Sequence, residues 1–145
     1  CSACKDMAAN IARLQTELPN DLKHVYKYAP TGMQETAVLA AVAAACANEQ
    51  GRFWEYHDTL FLNQDIISEQ IVLEISNFIG LDENTFSECL EKQSTLPLIE
   101  RTFEEAAALS LTALPTFFIG EERYVGSISY DELEKIVREA KLLTE

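Results

Sequence analysis

Two cysteines separated by two residues open the chain, Cys1 and Cys4 in the run CSAC. A pair at this spacing can close a disulfide between its own sulfurs or exchange one with a partner protein. Such chemistry needs one sulfur in the thiolate form, because the thiolate and not the thiol is the nucleophile. The residues that follow supply a means. Apolar Met7, Ile11, Leu14 and Leu18 recur with the spacing of one helix face, which predicts a helix over about Ser2 to Glu17, ended by Pro19, Asn20 and Asp21. Cys1 then stands at the helix start, where backbone N–H groups lack partners and the helix dipole is positive. Both favour a thiolate, and in such motifs the thiol pKa falls from about 8.5 to roughly 3.5–7.5. Cys1 is the expected nucleophile. Cys4, one turn further in, is the expected resolving thiol.

Cys46 and Cys89 complete the set of four cysteines. Four cysteines allow three pairings, and the spacing favours Cys1 with Cys4. Cys46 and Cys89 are then left, either as a structural bridge between two helices that pack together or as buried free thiols acting as small hydrophobes. A C-x-x-C is also half of a zinc site, but His24, His57, Cys46 and Cys89 show no ligand spacing, so no metal and no cofactor are expected. A first-residue cysteine resembles the acylated residue of a bacterial lipoprotein, a reading that leaves Cys4 without a role. His24, in a predicted strand, and His57, on an aromatic helix, read as packed or surface histidines. Phe53, Trp54, Tyr56 and Phe61 read as core, and Glu104 and Glu105 begin a solvated face.

The 145 residues, 48% hydrophobic and 24% charged, suit one domain or one domain with an insertion. The net charge of −13 opposes binding to phosphate backbones and anionic lipid, and the 11 basic residues are scattered. Nucleic-acid binding is therefore not expected. No apolar run reaches the ~18 residues of a membrane span; the longest, Ala37 to Ala47, is too short. No leader is visible, and a leader removed from ahead of Cys1 would leave such a start.

Around the cysteines the elements read as follows. Leu22 to Ala29 (LKHVYKYA) is a predicted strand closed by Pro30. Thr31 and Gln34 form a capping box for a helix reaching about Gln50, with Gly51 as its stop. RFWEYHDTLFLN gives a further helix. Ser68 caps one that ends at Gly80, and Asp82 caps one carrying Phe86, Cys89 and Leu90. Leu96 to Leu109 is helical, with Pro97 in its first turn. Thr116 to Ile119 is a strand, Gly120-Glu121-Glu122 a turn and Arg123 to Gly126 the return strand. Ser129 and Glu132 box the closing helix, whose buried stripe is Leu133, Ile136, Val137 and Ala140. Two α/β pieces thus flank a helical block, which reads as an insertion: residues 1–30 and 105–145 form one domain, and 31–104 the inserted helices.

CSAC opening a helix, then CANEQGRFWEYHDTLF, then ALPTFFIG before a Gly-containing strand, resembles the DsbA-like thiol–disulfide oxidoreductases of the thioredoxin superfamily. The resemblance covers nearly the whole chain. It implies an α/β thioredoxin-like fold interrupted by an all-helical domain. It also implies a cis Leu114–Pro115 bond, with the Leu114 backbone pairing an extended substrate beside Cys1; the alternative is a trans proline opening an edge strand. Some members carry a second disulfide, here Cys46 with Cys89, suited to an oxidising compartment. The implied function is disulfide exchange with thiol- or disulfide-bearing protein substrates outside the cytoplasm, in the periplasm or exposed at the cell envelope. Oxidation of folding proteins is the commonest role in the family, and reduction or isomerisation stays open. An oxidase would be re-oxidised by a membrane quinone-linked partner of the DsbB or vitamin K epoxide reductase type. The rival reading is a thioredoxin-like module that holds a metal or a client protein without turnover.

Two departures bear on this. The family has a central strand running into the C-x-x-C, and no strand precedes Cys1 here, so a trimmed domain or a segment supplied from elsewhere is expected. The family's buried acid near the thiols cannot be assigned. Strongly oxidising members also carry Pro-His between the cysteines, where this chain has Ser2-Ala3. Without the histidine the thiolate loses a hydrogen-bond donor. The Cys1–Cys4 potential, measured against glutathione, is therefore expected below the about −120 mV of DsbA; a value at or above it contradicts the reading.

Overall fold

In the computed structural model, which describes residues 1–144, the element order is α1 (Ser2–Glu17), α2 (Glu35–Glu49), α3 (Phe53–Leu62), α4 (Glu69–Phe78), α5 (Glu83–Lys92), α6 (Leu96–Ala108), β1 (Thr116–Ile119), β2 (Glu122–Val125) and α7 (Tyr130–Thr144). Short 3-10 turns occupy Thr31–Met33 and Gln64–Ile66. The chain divides into two compact units. One contains Cys1–Tyr26 and the chain from Ser110 onward; the other is the continuous stretch Lys27–Leu109.

In the first unit α1 packs on α7 and α7 on β1. Met7, Leu14 and Leu18 of the α1 region meet Tyr130 and Leu133, with Ile11, Phe117, Ile119 and Val137 at the margin. Strand alternation turns Phe117 and Ile119 toward this core, while Phe118 stays exposed. The hairpin is antiparallel, pairing Thr116 with Val125 and Ile119 with Glu122. The predicted turn thus shortens to Gly120-Glu121, and the return strand begins at Glu122. Gly120 takes φ 62°, the left-handed region a tight turn requires.

The second unit is all-helical. In α2, Val42 to Ala47 are buried, and the helix packs against α3, α4, α5 and α6. A run of alanines leaves room for several helices to approach one. Tyr56, Val72, Phe86 and Ile99 fill the space around it. Ser68 caps α4 by accepting from the Ile71 amide at 3.2 Å, and Asp82 caps α5 through the Thr85 amide at 2.8 Å.

Three sequence expectations are corrected. Leu22 to Ala29 is not a strand. A strand persists through its hydrogen-bonded neighbour, and the sheet among the described residues pairs β1 only with β2. Thr31 and Gln34 form no capping box: Gly32 and Met33 have φ of 57° and 53°, which no right-handed helix can contain, so α2 starts at Glu35 and Gln34 makes no side-chain cap bond. Trp54 lies on the solvent side of α3, 37% exposed, whereas Phe53 and Tyr56 are core.

At the far end of α1 a polar cluster joins the two helices of the first unit. The Tyr130 hydroxyl donates to the Glu17 carboxylate, Arg13 Nε donates to the same carboxylate at 2.9 Å, and the Arg13 guanidinium lies 3.6 Å from the Tyr130 ring centroid. The Tyr130 hydroxyl and then Arg13 hold the Glu17 carboxyl below its ordinary pKa, while the same bond pushes Tyr130 up to about 12. A depressed carboxyl stabilises the fold above its unfolded pKa of about 4.3 and loses that contribution as pH falls through the lower folded value. In urea denaturation, Glu17→Gln is expected to lower the midpoint at pH 7 and to lower it less at an acid pH below the depressed value, once the folded-state carboxyl has taken up a proton. An equal loss at both pH values contradicts this.

Candidate active site

Cys1 is the N-cap of α1. Its sulfur accepts from the Cys4 amide at 3.1 Å, and its carbonyl receives the Lys5 amide at 3.2 Å. An N-cap usually offers a hydroxyl or carboxylate oxygen to the free amides of the first turn; here a sulfur takes that place. No acidic side chain lies in the first turn, so that turn sets no negative charge of its own against the sulfur at the positive end of the dipole. Cys1 is exposed and Cys4 half-buried. The two sulfurs are joined, at 2.03 Å.

The loop before β1 completes the site. Leu114–Pro115 is cis, Leu114 is 37% exposed, and its carbonyl oxygen lies 3.8 Å from Cys1 Sγ. With Cys1 bonded to Cys4 the sulfur carries no hydrogen, so this is a contact rather than a hydrogen bond. Cys1, Cys4, Leu114 and Pro115, named from sequence, thus come together within the first unit. Two further residues shape this loop and escaped the sequence reading. The Thr116 hydroxyl donates to the Ala113 carbonyl at 2.6 Å, and the Gly126 amide to the Pro115 carbonyl at 2.8 Å. A threonine directly after the proline and a glycine closing the return strand were the available signals.

The remaining candidates lie elsewhere. Cys46 on α2 and Cys89 on α5 are bonded at 2.04 Å inside the helical unit, 1% and 6% exposed. The Thr95 hydroxyl lies 3.9 Å from Cys46 Sγ and 3.3 Å from the Val42 carbonyl. His57 is buried in that unit among Phe53, Trp54 and Phe61, with Nδ1 2.9 Å from Asp58. Glu104 is exposed, and Glu105 accepts from Lys27 at the surface. No group of three or more His, Cys, Asp or Glu side chains placed to hold a metal is present among the described residues.

A model of the thioredoxin family matches residues 1–139. The chain belongs to this family. Among solved structures, the thiol-disulfide exchange protein alpha-DsbA2 from Wolbachia pipientis superposes with a TM-score of 0.85 at 22% identity, over 96% of this chain and 75% of that one. A thioredoxin-like oxidoreductase from Silicibacter pomeroyi gives 0.81 at 25% identity, over 98% and 81%. The fold is thus thioredoxin-like, mostly helical with a small two-stranded sheet, and of the kind seen in DsbA-like thiol–disulfide oxidoreductases. A curated relative named Na(+)/H(+) antiporter NhaA 1, from Salinispora arenicola, is 30% identical over 141 residues, which is 97% of this chain and 22% of that protein. The chain spans about a fifth of the length of the curated antiporters it matches.

Within this thioredoxin-like chain the Cys46–Cys89 bridge closes a loop with a sequence separation of 43 residues. Closing a loop of that size restricts the unfolded chain and stabilises the fold by about 2–4 kcal/mol. The Cys46→Ala/Cys89→Ala double variant is expected to lose that much in urea denaturation of the oxidised protein, while the Cys1–Cys4 pair still closes. An unchanged midpoint contradicts it.

Proposed function

We propose that this chain catalyses thiol–disulfide exchange with protein substrates, with Cys1 as attacking sulfur and Cys4 as resolving sulfur, and that it acts as a disulfide oxidase outside the cytoplasm. The observation that carries the reading is the exposed Cys1 sulfur held at the α1 N-terminus by the Cys4 amide. A substrate thiolate attacks Cys1 Sγ; the Cys1–Cys4 bond breaks as the new S–S bond forms, and Cys4 leaves with the electron pair and takes up a proton. A second substrate thiolate attacks the substrate sulfur of this mixed disulfide and releases Cys1 as a thiolate. The substrate is oxidised by two electrons and the pair is left reduced. Because the helix end stabilises the departing Cys1 thiolate, that release is favoured.

Leu114 and Pro115 line the approach to Cys1, and an extended substrate segment pairing with the Leu114 backbone would bring its sulfur beside Cys1. A pair that oxidises others must itself be re-oxidised, and the likeness to DsbA-like proteins supports a membrane quinone-linked partner of the DsbB or vitamin K epoxide reductase type in that role. A second bridge, Cys46–Cys89, suits an oxidising compartment. Among the described residues no helix is long and apolar enough to cross a membrane.

The likeness to about a fifth of Na(+)/H(+) antiporter chains supports a second reading, in which the module is the redox domain of a longer membrane transport protein. An isolated chain that exchanges with glutathione yet neither reduces insulin nor refolds a reduced substrate would favour it. For the main reading, both activities are expected in the wild type and lost to background in Cys1→Ser and Cys4→Ser. Cys4→Ser should in addition trap a mixed disulfide through Cys1, released by dithiothreitol. Copper bound with neither activity present would favour a binding module.

A further inference from the structure

Three successive carbonyls before β1 have three different fates. That of Ala113 accepts the Thr116 hydroxyl at 2.6 Å, and that of Pro115 accepts the Gly126 amide at 2.8 Å. The carbonyl between them, on Leu114, stands 3.8 Å from Cys1 Sγ. Gly126 can serve in this way because it follows β2 directly at φ 89°, a conformation that a side chain disfavours. Thr116 is half-buried, and its hydroxyl reaches back three residues to close the turn containing Leu114 and Pro115. The two flanking carbonyls are thereby pinned, and the direction of the middle one is no longer free.

We propose that Thr116 is a positioning residue for the attacking sulfur: its hydroxyl, with the Gly126 amide, holds the Leu114 carbonyl against Cys1 and so tunes how readily Cys1 ionises. The role deepens the exchange function above, since it rests on Cys1 being the sulfur that attacks. Two opposing dipoles meet at that sulfur. The Cys4 amide presents a hydrogen and favours the thiolate; the Leu114 carbonyl presents an oxygen and favours the thiol, which can donate to it while a thiolate cannot. The first acts through the helix and the second through the clamped loop, so each can be altered alone. The same clamp fixes where the Leu114 backbone meets a substrate chain.

The experiment measures the pH dependence of Cys1 alkylation by iodoacetamide in a Cys4→Ser background with the Cys46–Cys89 bridge intact. Thr116→Val keeps the side-chain shape and removes the hydroxyl. It is expected to lower the midpoint of the pH profile by about half a pH unit, roughly the worth of one modest hydrogen bond to the neutral form. Thr116→Ser, which restores the donor, is expected to return the midpoint to the wild-type value, and Gly126→Ala to shift it in the same direction as Thr116→Val. A Thr116→Val profile that coincides with wild type overturns the proposal, also where urea shows the variant to be less stable, because the hydroxyl would then support the loop without reaching the sulfur. Failure of Thr116→Ser to restore the midpoint overturns it equally. Alkylation needs no protein substrate, so an absence of insulin reduction in the wild type would count against the proposed function and not against this result.

Discussion

The hydrogen bond from the Cys4 amide to the Cys1 sulfur is the interaction on which the site depends. It exists only because the chain turns into a helix at Ser2, which aims the amide of the third helical residue back at the capping side chain. The spacing of the two cysteines follows from the same geometry. One residue fewer would put the second sulfur off the cap's side of the first turn. With two between, the amide that stabilises Cys1 and the sulfur that bonds to it belong to the same residue. A neutral cap such as serine would satisfy the amide equally well but could carry neither the charge nor the exchange.

A cap of this kind is worth only as much as the helix behind it is fixed. Met7 and Leu14, each 2% exposed, seat α1 against Tyr130 and Leu133, and the Asn10 side chain donates through Nδ2 to the Ile128 carbonyl at 2.9 Å. Phe117 and Ile119 of β1 border the same core. The helix that carries the cysteines and the strand that follows Pro115 therefore share one packed layer. Hydrophobic contacts, which lack direction, set the distance between them, and a few hydrogen bonds set the orientation. The helical unit encloses its own core and its own disulfide.

Much of this was legible in the residue order. Helix α1 was marked by the recurrence of Met7, Ile11 and Leu14, α4 and α5 by Ser68 and Asp82, and the hairpin by TFFI ahead of a glycine. These signals are local: a cap, a period and a turn act within a few residues. Two misreadings share a different cause. The β-branched and aromatic run at Leu22 to Ala29 has strand composition, but pairing is decided by a neighbour that composition cannot reveal. At Thr31 the capping-box pattern was present, and left-handed backbone at Gly32 and Met33 cancelled it. Cys1 and Cys4 were evident as a pair because their spacing is itself the signal. Thr116 and Gly126 were not, since their role lies in contacts with Ala113 and Pro115 that form only once the hairpin closes.

We propose that the helix end, and not cysteine chemistry alone, keeps the reduced Cys1 sulfur ionised. The decisive measurement follows the ultraviolet absorbance of the thiolate against pH in Cys4→Ser protein that keeps the Cys46–Cys89 bridge, native and again in denaturant. The Cys1 midpoint is expected well below the about 8.5 of a free thiol when native, returning to about 8.5 on unfolding. A native midpoint equal to the unfolded one would contradict it.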